Sequence, residues 1–447
     1  MNKNQGSLYV YSVSIIAAVG GFLFGYDTAV IAGAIPFMEK YFSLSAAQLG
    51  MAVSSALLGC IVGATFAGSL ADKFGRKKIM ISAALLFLIS AFLTALPKTL
   101  LLFTAARFMA GLAIGLSSPI SPMYIAEIAP AKIRGTLVTF NQLAISFGIV
   151  AAYTCDWLIS GHGTEQWKTD YAWRWMFGSS AVPSVILLVG LFFIPESPRW
   201  LLKAGFVEKA KNILVKVGGI LHADKEIMEV EKALSKEEGS IKQLLKPGFR
   251  LALFIGIMIM FFSQVTGMNA IYMYTSKLLI AVGFKSSSAM FNMVIIGLVS
   301  FLTTIAATCT VEKLGRRVLL IGAPIGMAIS MLVITLGYGK VNPVVILVAM
   351  AAFVCFFSFG VGPGVWMVTS EIFPTKVRGR AMSIVSFCLW VSCFFANLVF
   401  PKFLLWSQKG TFGLFTLACF AMIVFVAIFV PETKGKTLEE IEEIWEK

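Results

Sequence analysis

Charge is scarce in this sequence. Asp, Glu, Lys and Arg make up only 13% of its 447 residues, about half the share of a soluble domain, whereas 58% are hydrophobic. A water-soluble fold cannot hide that much apolar surface, so lipid must be the solvent. Histidine is scarcer still. His162 and His222 stand alone in polar stretches, which excludes a His-rich metal or haem centre and leaves His-based catalysis without a base. The seven cysteines all lie in or at the ends of apolar runs and read as packing thiols, not as a disulfide framework. No G-x-x-x-x-G-K-[ST] phosphate loop occurs, so a built-in ATP motor is not expected. No nucleophile–base or metal constellation is visible either, so the chain is not expected to be an enzyme or to carry a cofactor.

What is present in quantity is long apolar runs. A helix needs roughly 20 apolar residues to cross a bilayer core. Twelve runs qualify: six at 10–36, 48–70, 79–96, 101–122, 136–157 and 173–194, and six at 251–280, 288–309, 318–337, 342–369, 381–403 and 411–430. The first is too long for the h-region of a signal peptide and reads as a span. The fold class is therefore an all-α membrane protein with twelve transmembrane helices. The expected domains are an N-terminal bundle over 1–195, a cytoplasmic helical linker over 196–250, a C-terminal bundle over 251–430 and a cytoplasmic C-terminal helix over 431–447.

The two halves repeat. Asp72 to Arg76 after the second span matches Glu312 to Arg316 after the eighth. Glu127 to Arg134 ("EIAPAKIRG") matches Glu371 to Arg378 ("EIFPTKVRG"), and Pro195-Glu196-Ser197 matches Pro431-Glu432-Thr433. Pro119 and Pro363 each stand eight residues before the matching glutamate. Chance does not arrange four such coincidences.

The net charge of +14 does not indicate nucleic acid, because its arginines gather on one side of the twelve spans. Arg76, Arg134, Arg199, Arg250, Arg316, Arg317, Arg378 and Arg380 share that side. The positive-inside rule makes it cytoplasmic, together with both termini and the linker. In the linker, "FVEKAKNILVKV" and "KEIMEVEKALSKEE" have the period of short amphipathic helices, and Thr437 and Glu440 fit a capping box for a terminal one. The repeated acid–Arg signals at this rim read as a switchable latch: Asp72, Arg76, Glu127, Arg134, Glu196 and Arg199 in the first half, Glu312, Arg316, Glu371 and Arg378 in the second. The alternative is a set of plain topology anchors.

At this point the sequence resembles a known family. "GGFLFGYDTAV", "DKFGRKK", "SPMYIAEIAPAKIRGTL", "PESPRWLL", "GPGVWMVTSEIFPTKVRG" and "PETKGKTLEE" are similar to the motifs of the sugar porter branch of the major facilitator superfamily, from residue 20 to 440. The resemblance implies the major facilitator fold, two six-helix bundles that rock about a central sugar site. It implies a plasma (inner) membrane location, a monosaccharide and protons as the transported partners, membrane lipid around the chain and a functional monomer.

Asp27 lies in the first span, where an ionisable residue is a functional hypothesis by default. Arg107, early in the fourth, is the cation available to it. Either the two form a permanent structural pair, or Asp27 takes a proton and releases Arg107. Similar proton-coupled porters carry Asp at the matching position, which favours symport. For sugar hydroxyls the resemblance points to Gln142, Gln264, Asn269, Trp366 and, less directly, Trp390. Gly267 breaks the seventh span, and Gly360, Gly362, Pro363 and Gly364 interrupt the tenth. Broken helices of this kind line transporter cavities. Phe24, Tyr272, Tyr274, Gly362 and Pro363 are candidate gate or lining positions. Ser263 and Met273 depart from the family pattern in the seventh span, so the family's substrates do not carry over as a specific sugar. A facilitative uniporter and a transporter-like sugar sensor are the competing functions.

Overall fold

The computed structural model describes residues 3–130, 133–234, 249–373 and 377–432. Among them there is no strand. Twelve helices are long and apolar enough to cross a membrane: Leu8–Tyr41, Ala46–Phe74, Arg76–Ala95, Leu100–Ile128, Arg134–Ser160 and Glu165–Phe193, then Phe249–Ala281, Ser286–Thr310, Arg316–Gly337, Pro343–Ile372, Gly379–Trp406 and Gln408–Phe429. Their number and order match the twelve apolar runs. Several run past the apolar stretch. The sixth begins eight residues early, at Glu165, because Thr164 caps Trp167 and a π-helical turn over Lys168–Ala172 carries the helix onward. Thr99, Asn342 and Ser407 cap the fourth, tenth and twelfth spans in the same way, which fixes where each chain reversal ends.

The chain forms two compact units that do not follow the sequence halves. One comprises 1–27, 59–149 and 177–237, and the other 28–58, 150–176 and 238–447. The first, second, fifth and sixth spans are thus shared lengthwise. In the first unit, the fourth span can approach the second closely because no side chain intervenes: a Cβ on Gly59 or Gly63 would meet the backbone of Phe108, Leu112 or Gly115. Without a hydrophobic force between helices in lipid, such close backbone contact is what holds spans together. The described part of the linker folds as three helices, Pro198–Lys203, Val207–Gly218 and Ile220–Leu234. Leu201, Leu202 and Ala210 form their small core, with Trp200, Ile213, Ile227 and Val230 packed against it.

In the second unit the seventh span breaks where expected. Gly267 sits at φ 94°, between helices that end at Val265 and begin at Met268. The tenth span differs from expectation. It bulges through a π-helical turn over Phe357–Val361 and continues from Gly362 without a break. Pro363 falls in the first turn of the continued helix, where a residue without an N–H is accepted. All seven cysteines are free thiols. The candidate C-terminal helix, with Thr437 and Glu440, lies outside the described residues.

Candidate functional site

Asp27 and Arg107 meet inside the first unit. Arg107 Nη1 donates to both carboxyl oxygens of Asp27 at 2.8 Å, and Nη2 donates to the Asp27 backbone carbonyl at 3.3 Å. The arginine has no solvent exposure and the aspartate side chain 7%. Its guanidinium lies over the Phe177 ring, 5.2 Å from the centroid, and Phe177 in turn packs edge-on against Phe103. A charge-assisted bond in such apolar surroundings is strong, and breaking it by truncation strands a buried ion at a cost of about 3–5 kcal/mol. Arg107 Nε is buried with no hydrogen-bond partner.

The rim motif of the first half closes into a network around Arg76. Gly75, at φ 98°, turns the chain so that the third span starts at Arg76. Arg76 donates Nε and Nη2 to Glu127 at 3.0 and 2.9 Å, and Nη1 to Asp72 at 3.0 Å. The Arg76 backbone N–H donates to Glu196 at 3.0 Å, as does that of Lys77. Glu196 therefore caps the third span with a negative charge at the positive end of the helix dipole. Ser197 donates to Glu127, and Lys203 reaches Asp72 at 3.2 Å. The second half repeats the design. Gly315, at φ 92°, starts the ninth span, Arg316 pairs with Glu371 at 3.0 Å, and Glu432 accepts from the backbone of Arg316 and Arg317, both at 3.2 Å.

The proposed partnership of Glu127 with Arg134 is not what forms. Glu127 takes Arg76, while Arg134 is exposed and donates weakly to the Ala129 carbonyl at 3.4 Å. Arg199 is exposed and makes no ion pair with a described residue. The side chains of Glu312 and Arg378 lie outside the described residues. Glu432, Ser197 and Lys203 belong to the networks but were not among the residues expected from the sequence. Glu432 and Ser197 were signalled by the repeat of Pro195-Glu196-Ser197 as Pro431-Glu432-Thr433; nothing in the pattern singled out Lys203.

Two of the amide candidates, Gln264 and Asn269, meet within the second unit. Gln264 donates from Nε2 to Ser263 Oγ at 3.1 Å, and Asn269 donates from Nδ2 to Gln264 Oε1 at 2.5 Å across the Gly267 break. Tyr272 shares a hydrogen bond of 2.7 Å with Ser300, which continues to Ser358 at 3.1 Å. Tyr274 donates to the Asn397 carbonyl at 3.1 Å. Both tyrosines are buried, as is Trp390, whereas Trp366 is 41% exposed. Gln142 and Phe24 belong to the first unit and are half-buried. The Gln142 side chain makes no hydrogen bond to a described residue, leaving its donors and acceptor available to a ligand.

Twelve apolar helices, a repeated rim network, a buried acid–base pair and a broken helix edged with amides define a secondary transporter. The chain matches the family described as Sugar (and other) transporter over residues 13–445, and it belongs to that family. It is 40% identical to the arabinose-proton symporter of Bacillus subtilis (strain 168), over 100% of this chain and 97% of that protein. It is 36% identical to the D-xylose-proton symporter of Escherichia coli (strain K12), over 100% and 98%. The solved inward-open conformation of the xylose transporter XylE from E. coli superposes with a TM-score of 0.88 at 34% identity, covering 98% of this chain and 100% of the other. The fold is the major facilitator fold.

Proposed function

We propose that this chain imports a monosaccharide, a pentose or hexose, together with a proton, by alternating access. The observation that carries this reading is Asp27 held by a fully buried Arg107 in a span of otherwise apolar character. In this scheme Asp27 takes a proton, loses its charge-assisted bonds and frees Arg107; releasing the proton restores the pair. One guanidinium nitrogen binds both carboxylate oxygens, so neutralising the acid would weaken both bonds together. Gln264, Asn269, Trp366, Trp390 and Gln142 are assigned as sugar contacts, and Phe24, Tyr272 and Tyr274 as lining. The relatives whose names couple pentoses to protons support the same assignment.

The rim with the two arginine networks is assigned to the cytoplasm along with both termini, in a bacterial plasma membrane, and the working unit is the monomer. The driving force suffices. One proton moving down 100 mV supplies about 2.3 kcal/mol, enough for roughly 40–50-fold accumulation at about 1.4 kcal/mol per decade. Reconstituted protein tests it. Asp27→Asn should keep sugar exchange across the vesicle membrane and lose gradient-driven accumulation. Accumulation that is unchanged would remove Asp27 from proton coupling, and a wild type that only equilibrates sugar would leave facilitated diffusion as the function, with Asp27 a fixed structural anion.

A further inference from the structure

A second carboxyl group lies buried in the fifth span, and no described residue balances its charge. Asp156 has no solvent exposure, and neither carboxyl oxygen has a hydrogen-bond partner. It is pressed against the first span at Gly33, where an added Cβ would overlap the carboxyl group. The Gly33 backbone approaches the carboxyl group without forming a hydrogen bond of regular geometry. An ionised carboxylate left without donors in an apolar interior costs many kcal/mol, and such groups become neutral instead.

No cation among the described residues pairs with Asp156. On the fifth span itself, the titratable neighbour is Tyr153, whose hydroxyl is engaged by the Tyr272 carbonyl at 2.7 Å and by Thr275. The first and seventh spans bring Glu39 and Lys277, which pair with one another at 2.6 Å. Lys40 of the first span acts on Glu165, which also pairs with Lys168. Arg174 of the sixth span lies over the rings of Tyr41 and Trp173. The eighth span, which packs on the fifth where Gly297 meets Tyr153, has no acid or base from Ser286 to Thr308.

We infer that Asp156 is a second proton-binding site, filled while the first, fifth, seventh and eighth spans are packed together, and emptied when that cluster separates. The cluster is the one closed by Ser276 donating to the Ala32 carbonyl, by Tyr153 on Tyr272, by Trp157 on Phe291 and by the Glu39–Lys277 pair. Along the seventh and eighth spans it lies at the end opposite Arg316 and its network in the same unit. Alternating access, on which this inference rests, requires that end to open. Opening would admit water to Asp156, and the carboxylic acid would then dissociate as an ordinary one does near pH 4. By linkage, the bound proton favours the closed cluster, and removing it favours opening.

Infrared difference spectroscopy of the purified full chain tests this without relying on transport. At neutral pH the wild type should show the carbonyl band of a protonated carboxylic acid. Asp156→Asn should lose that band and Asp27→Asn should keep it. Gly33→Leu, which forces the first span off Asp156, should lose it as well with the aspartate still present. Far-ultraviolet circular dichroism and size-exclusion elution establish that each variant is folded. A band that survives in Asp156→Asn would overturn the assignment of the proton. A band that Gly33→Leu leaves intact in a folded protein would overturn the link to the cluster. Exchange measured across pH gives an independent reading: Asp156→Asn should flatten the alkaline limb of the wild-type profile at least threefold, and an identical profile would also overturn the link. A protein that carried no sugar under any condition would instead sink the transporter reading, while the band would still report on Asp156.

Discussion

Glu196 caps the third span, and its removal should loosen the rim of the first half. It accepts two backbone hydrogen bonds at 3.0 Å, from Arg76 and Lys77, at a helix N-terminus. Hydrogen bonds to a charged acceptor are worth about 1.5–3 kcal/mol each when buried, and a charge at a helix end adds about 0.3–1 kcal/mol. Glu196 is half-buried, so Glu196→Ala should cost about 2–4 kcal/mol in the arrangement that contains the network. At about 1.4 kcal/mol per decade, that is roughly a 30- to 700-fold shift in the balance of arrangements with and without it. Glu432 makes the equivalent bonds at 3.2 Å, so Glu432→Ala should cost less. The assay is paired: thermal denaturation in detergent, and sugar exchange in proteoliposomes. A latch that holds one stage of the cycle predicts a lowered midpoint together with at least a tenfold change in exchange. A passive anchor predicts the midpoint shift alone. If Glu196→Ala changes neither, or if Glu432→Ala is the more damaging, the reasoning from capping geometry fails.

Three other outcomes follow from particular contacts. Gly267→Ala should reduce exchange at least tenfold and lower the denaturation midpoint, since φ 94° costs an L-residue about 1–2 kcal/mol and the new methyl would overlap the Phe415 ring. Lys277→Met should alter exchange by no more than about fivefold, because its pair with Glu39 is partly exposed and such pairs are worth about 0.2–1 kcal/mol; the difference from wild type should shrink in high salt. In the linker, the hydrogen bond from Lys211 to Asp224 holds the ammonium above its usual range. A raised lysine stabilises the fold at pH values below its unfolded pKa of about 10.4 and loses that contribution as pH climbs through the folded value. Lys211→Met should therefore differ from wild type equally at pH 7 and pH 9, and converge with it at stronger alkalinity, as followed by circular dichroism.

The twelve spans were legible because lipid demands about 20 apolar residues in each, and no other arrangement of this sequence satisfies its backbone. The repeat was legible as well, and it located Gly75, Arg76 and Glu127 with their counterparts. Pairing was not legible. Glu127 and Arg134 look like partners seven residues apart, but a proline and a helix end separate them, and Arg76 comes from 51 residues away to take the glutamate. Gly360 to Gly364 read as a break, yet a π-helical turn absorbs the irregularity and the helix continues. Gln264 and Asn269 were named from the family resemblance and Gly267 as a break, but the hydrogen bond that joins the two amides across that break was not legible.

Asp156 shows why a buried charge is harder to read than a buried repeat. It falls one residue from the expected end of the fifth span, where a carboxylate signals the approach of water. The helix in fact runs on to Ser160, and the first span packs across that point at Gly33, so the carboxyl group is fully buried. Burial here is decided by a partner more than a hundred residues away, and no local pattern reports it. The contrast with Asp27 is chemical. Asp27 is paired with Arg107, whereas Asp156 has no cation partner among the described residues and, in our proposal, holds a proton to be where it is. On that proposal one acid would exchange a proton against a guanidinium, and the other against the packing of helices. Both kinds of proton would have to be counted before a ratio of protons to sugar is assigned, and Asp27→Asn, Asp156→Asn and their combination separate the two contributions.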